Sequence, residues 1–253
     1  MRVERACGAV LCLALLASAA QAQPPPTRVL AAEDADGRRA HGRADPLPGM
    51  TVVTRGIGAW RVILLHGYGS APDDLVSLAD ALVPRVPGAT FVVPGSPLPW
   101  HGDMRGRVWF DQHDADANAQ IRRARAAIDG LIEGFAHEGV PSEHVVVGGF
   151  SQGAILSIEM ALAGRHRLGG IAPLSGRALG HPASSYARLA HLPIFEAHGR
   201  ADPLVPFARG EQFVGRAREV GADVRFEIFD GVHEIPDAVV DALATWLAAL
   251  VAQ

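Results

Sequence analysis

The sequence predicts an α/β fold: a mostly parallel central sheet with helices on both faces. Three observations carry this. Short β-branched apolar runs alternate with helical stretches along the chain, as in repeated βαβ units. One strand–helix junction holds Gly149-Phe150-Ser151-Gln152-Gly153. The folding region has about 200 residues, enough for one core and small for two.

The elements follow in order. Trp60 to Leu65 reads as a strand, and a helix near Asp73 to Val83 follows it, with Ser70 or Asp73 as N-cap. Ala89 to Val93 is a strand, followed by a long Pro/Gly-rich loop to Asp111 and a helix over about Ala115 to His137. His144 to Gly148 is a buried strand, and Ala154 to Ala163, rich in Ala, Leu, Ile and Met, is a helix packed on it. Further strands are expected at Gly169 to Leu174, Pro193 to His198 and Val224 to Phe229, with helices at Ala208 to Val220 and Asp237 to Val251.

A serine at a sharp strand-to-helix turn projects its hydroxyl outward, and its flanking glycines leave room for the neighbouring backbone. The helix N-terminus beneath it favours negative charge. This is the nucleophile elbow of an α/β-hydrolase, which needs an acid and then a histidine on later loops. Asp202 lies on the loop after the Pro193 strand and is the favoured acid over Asp230 and Asp237, which crowd His233 on its own loop. His233 follows the Val224 strand and is the favoured base. The chemistry needs these types. Ser151 is a poor nucleophile without a base, imidazole titrates near neutrality, and a carboxylate fixes its tautomer. The loop His66-Gly67-Tyr68-Gly69 supplies the Tyr68 amide, and Gln152 supplies a second, as an oxyanion hole. Since both act through the main chain, their side chains should tolerate change. Trp109 and Phe110 read equally as core or as substrate-pocket wall, and Asp111 as a loop staple. His66 and His198 read as structural histidines.

Leu65-His66-Gly67-Tyr68-Gly69, Trp109-Phe110-Asp111, the Ser151 pentapeptide, His198-Gly199 with Asp202-Pro203, and His233-Glu234-Ile235 together resemble the phospholipase/carboxylesterase family of α/β-hydrolases, which includes the acyl-protein thioesterases. The resemblance spans roughly residues 50 to 250. It implies Ser151, Asp202 and His233 as triad, Tyr68 and Gln152 as oxyanion donors, no cofactor, and hydrolysis of small-molecule or lipid esters, thioesters or lysophospholipids through an acyl-enzyme. Val232 stands where many members have Gly before the histidine. Tyr68 stands where the thioesterases often have a smaller aliphatic residue, so protein depalmitoylation is not carried over. Some relatives pair as homodimers through sheet edges or lids, and the resemblance allows the same here. A non-catalytic binding protein on the same fold is the alternative from another class.

At the other end, Arg2 and Arg5, the apolar run Ala6 to Ala20 and Ala20-Gln21-Ala22 read as a signal peptide, residues 1–22, cleaved near Ala22. That run is too short for stable membrane insertion, and export to the periplasm or medium is the expectation. Residues 23–48, opening Gln23-Pro24-Pro25-Pro26, read as a disordered linker, leaving 49–253 as the catalytic domain. Both cysteines, Cys7 and Cys12, lie in the leader. The net charge of −4 has no basic stripe, which argues against nucleic acid. No spacing in the sequence matches a metal motif.

Overall fold

The computed structural model describes residues 49–101 and 103–253. The expected leader and linker, residues 1–48, lie outside the described residues. Seven strands form one sheet in the order β1 (Thr51–Arg55), β3 (Ala89–Gly95), β2 (Trp60–Leu65), β6 (Val145–Phe150), β7 (Gly170–Leu174), β8 (Pro193–Gly199) and β9 (Asp223–Phe229). All neighbours are parallel except β1 and β3. β2, β6, β7 and β8 are apolar runs buried along most of their length, as strands covered on both faces must be.

The helices divide between the faces. α1 (Val76–Leu82) and α6 (Asp237–Val251) pack Leu78, Leu82, Leu243 and Leu247 against Val62, Phe91 and Phe195. On the other face α2 (Ala117–His137) lays Ile121, Ala124, Ile128, Ile132 and Phe135, at three- and four-residue spacing, over Ile63, Val145 and Val147. α3 (Gln152–Ala163) is buried almost all round. It lies between α2 and a group formed by α4 (Ala183–Tyr186), Leu189 and α5 (Phe207–Glu219).

Three features depart from the sequence reading. β1 is an additional edge strand. The long loop after β3 contains a hairpin, β4 (Pro99–Trp100) with β5 (Asp103–Arg107). α1 starts at Val76 without a side-chain cap, because residues 71–76 form turns in which Asp73 accepts from the Val76 amide through its carbonyl; neither Ser70 nor Asp73 caps the helix. The chain winds from β2 outward to β3, then returns to the far side of β2 as β6. The loops after β2 and β6 therefore diverge at a switch point, where such sheets leave a crevice for ligands.

Candidate active site

Ser151 sits at that switch point, between the end of β6 and the first residue of α3. Its backbone, at φ 54° and ψ −111°, lies where a non-glycine residue is strained by on the order of 1–3 kcal/mol. The turn is held by Ser151 N–H donating to Leu174 C=O at 2.9 Å. The motif's glycines have a steric cause. A Cβ on Gly149 would lie 2.5 Å from the Leu65 carbonyl oxygen, and one on Gly153 would lie 2.0 Å from the same atom. The elbow packs directly against the end of β2, so the loop that follows β2 and the serine are placed together.

Asp202 and His233 meet on the loops after β8 and β9. His233 Nδ1 is 2.6 Å from Asp202 Oδ2, while Asp202 Oδ1 accepts from the Leu204 and Val205 amides at 2.8 Å each. Two strand-like bonds join these loops: Arg200 N–H to Phe229 C=O and Ala201 N–H to Gly231 C=O, both 2.9 Å. The competing acids lie elsewhere. Asp230 is exposed and paired with Arg200, and Asp237 opens α6. The His233 ring rests on Phe150, the residue before Ser151, with centroids 4.6 Å apart. Val232, in the position many relatives fill with Gly, turns its side chain outward and is half-exposed.

The amides of Tyr68 and Gln152 have no acceptor among the described residues. The Tyr68 loop is braced from outside, because Gly69 N–H donates to Arg107 C=O and Arg107 N–H to Ser70 C=O, both 2.9 Å. It is braced from inside by His66, whose Nδ1 faces the Gly67 carbonyl at 2.8 Å and whose Nε2 accepts from Ser96 N–H at 3.1 Å.

A model of the family described as phospholipase/carboxylesterase matches residues 58–251. The chain belongs to the phospholipase/carboxylesterase family. An acyl-protein thioesterase 1 from Eremothecium gossypii is 33% identical over 202 residues, covering 72% of this chain and 84% of that protein. The crystal structure of esterase PE8 superposes with a TM-score of 0.68 at 27% identity, covering 76% of this chain and 93% of that one. A carboxylesterase from Mesorhizobium loti gives 0.67 at 25% identity, covering 79% and 95%. This phospholipase/carboxylesterase-family chain is a serine hydrolase of the esterase and thioesterase kind.

The relatives correct the expectation of export. The acyl-protein thioesterases among them are generally cytosolic. Trp109 and Phe110, read equally as core or as pocket wall, are 0% and 3% exposed and pack in the core with Ile121 and Leu156. Trp109 Nε1 donates to the His66 carbonyl at 3.1 Å, which explains an aromatic with a polar handle at that depth. The Gln152 side chain, expected to be dispensable, clamps the same segment. Its Oε1 accepts from Trp109 N–H and its Nε2 donates to Phe110 C=O, both at 2.7 Å. Asp111 is a loop staple, accepting from His113 N–H at 2.9 Å. The sequence reading passed over Glu196, which is completely buried and paired with His198. Its signal was a carboxylate in the middle of an apolar strand, two residues before a histidine.

Proposed function

We propose that this hydrolase cleaves carboxylic esters through a Ser151–His233–Asp202 triad and an acyl-enzyme. The observation that carries the reading is the 2.6 Å bond between His233 Nδ1 and a buried Asp202, on loops that gather at the same end of the sheet as the strained Ser151. With Nδ1 committed to the carboxylate, Nε2 is the nitrogen left for the serine hydroxyl. Ser151 Oγ attacks the ester carbonyl while His233 takes its proton. The oxyanion that forms accepts from the Tyr68 and Gln152 amides, each such donor contributing on the order of 10²–10³ in turnover. Collapse expels the alcohol, which receives the proton from His233. Water, activated in the same way, then releases the acid.

Thioesters are the second reading, favoured by the acyl-protein thioesterase relatives. Apolar side chains near the reacting groups suit an acyl substrate: Tyr68, Leu204 and Val232 are all exposed, on the loops that carry the oxyanion donor, the acid and the base. A fluorophosphonate probe should label the wild type and fail to label Ser151→Ala. Absence of labelling in the wild type would favour a binding protein. A chain-length series of p-nitrophenyl esters, run beside acyl-thioesters and lysophosphatidylcholine, separates the substrate classes by kcat/KM.

A further inference from the structure

Behind Asp202 lies a pair of ionisable groups that this chemistry does not use. Glu196 and His198 stand two residues apart in β8 and so project from the same face of the strand. Both side chains are completely buried. His198 Nδ1 is 3.1 Å from Glu196 Oε1. Its Nε2 is 2.9 Å from the Val205 carbonyl and 3.5 Å from Asp202 Oδ2, the oxygen that also bonds His233. A carbonyl oxygen can only accept, so Nε2 carries a hydrogen. A single further proton then joins Nδ1 to Oε1.

The surroundings are specific. From the loop after β7 the Gly176 amide favours the charge on Glu196, whose Oε2 is buried without a hydrogen-bond partner among the described residues. From α5, Phe207 meets the His198 ring edge-on at 5.9 Å, with the Arg200 guanidinium over the Phe207 ring at 5.7 Å. α5 also brings Gly210 against the pair. A Cβ there would lie 2.4 Å from His198 Nδ1 and 3.0 Å from Glu196 Oε1, so bare backbone is required. The ionisable groups facing the imidazole are therefore Glu196 on one side and Asp202, with His233 beyond it, on the other. Burial pushes Glu196 up to about 7, against the His198 bond and charge and the Gly176 amide, which favour ionisation. For His198, burial works against the charge, but the bonds with Glu196 and Val205 and the two carboxylates outweigh it and raise its pKa.

We propose that His198 is an imidazolium held between two carboxylates, Glu196 and Asp202, and that Glu196 and His198 are positioning residues that govern how firmly His233 holds its proton. The proposal rests on the triad reading above. A buried carboxylate bonded only to His233 and two amides would hold the imidazolium strongly and leave less free base to accept the serine proton. A cation 3.5 Å from the shared oxygen offsets part of that pull. Glu196 is what keeps the cation charged, because a buried imidazole facing only a carboxylate already committed to His233 would shed its proton.

A purely structural staple would be served equally well by glutamine, so Glu196→Gln in the full chain separates the two roles. With Gln at 196, His198 becomes neutral, keeping the Nε2 hydrogen on Val205. Asp202 then acts on His233 with its full charge, and the base is lost at higher pH. The acid limb of kcat/KM for p-nitrophenyl butyrate should move up by roughly half a unit or more, with fluorophosphonate labelling retained. Nitrogen NMR of histidine-labelled wild type at pH 8 should show both His198 ring nitrogens protonated, and only one in Glu196→Gln. An unmoved acid limb in a labelled, folded variant, or a singly protonated His198 in the wild type, overturns the proposal; the wild-type spectrum decides alone if the variant does not fold. Ester turnover that survives Ser151→Ala would instead sink the triad reading and this proposal with it.

Discussion

Gln152 is held at both ends of its amide, by the Trp109 N–H and the Phe110 carbonyl. Truncating it leaves a buried donor and a buried acceptor unpaired, each at a cost of about 1–3 kcal/mol. It also frees the 109–110 segment from the residue whose own amide is a proposed oxyanion donor. Gln152→Ala should therefore lower the melting temperature and kcat together while KM changes little, as calorimetry and steady-state kinetics would register. His66 makes a different demand. It donates from Nδ1 and accepts at Nε2, so the neutral ring is the form that satisfies both neighbours. Burial lowers its pKa from 6.5, against a raising contribution from the Gly67 bond. A folded-state value below the unfolded one means that the unfolded chain binds the proton more readily. Stability is thus unaffected above about pH 6.5 and falls as pH drops below it. Followed by thermal unfolding from pH 8 to 5, His66→Asn, which carries no titrating ring, should gain stability relative to the wild type as pH falls. Equal slopes in the two proteins would exclude His66 as the group responsible.

At the scale of elements, what could be read from the chain is what local composition marks. The short, mostly apolar runs became β2, β3, β6, β7 and β8, and the helical stretch over about Ala115 to His137 became α2. β1 escaped because Thr51–Arg55 is a half-exposed edge, and its antiparallel partner, residues 91–95, lies some forty residues on. The hairpin β4–β5 escaped for a related reason. It has no apolar alternation, and its Arg107 pairs with Ser70 on the loop after β2, a contact invisible before the fold exists. Trp100 closes that corner, its ring meeting Tyr68 edge-on at 6.2 Å. The site divides in the same way. That Ser151, Asp202 and His233 stand at the ends of β6, β8 and β9 was legible, because strand order and loop position set it. The roles of the Gln152 side chain, buried Trp109 and Glu196 depend on what packs against them, and strand order does not reveal that.

Across the whole molecule, the sheet's two faces are closed by separate helix layers, and β1, like β2, β3 and β6, contributes side chains to both. Val53 packs on the side of α1 and α6, whereas Met50 and Val52 pack on the side of α2 and Trp109. Five register pairs, Thr51 with Gly95 through Arg55 with Phe91, cover the outer edge of β3. The family match begins at residue 58, beyond this strand. A chain cut at that match would keep Ser151, Asp202, His233 and both proposed oxyanion amides, yet it would expose the edge formed by Phe91, Val92 and Val93. An uncovered apolar edge is a template for pairing with another chain. Residues 49–253 alone should therefore melt close to the full chain and keep its kcat/KM. Residues 58–253 should melt lower by on the order of 5 °C or more and associate in solution. Calorimetry with size-exclusion light scattering reads both quantities. Identical melting and a clean monomer for the shorter chain would mean that β1 decorates the fold rather than closing it.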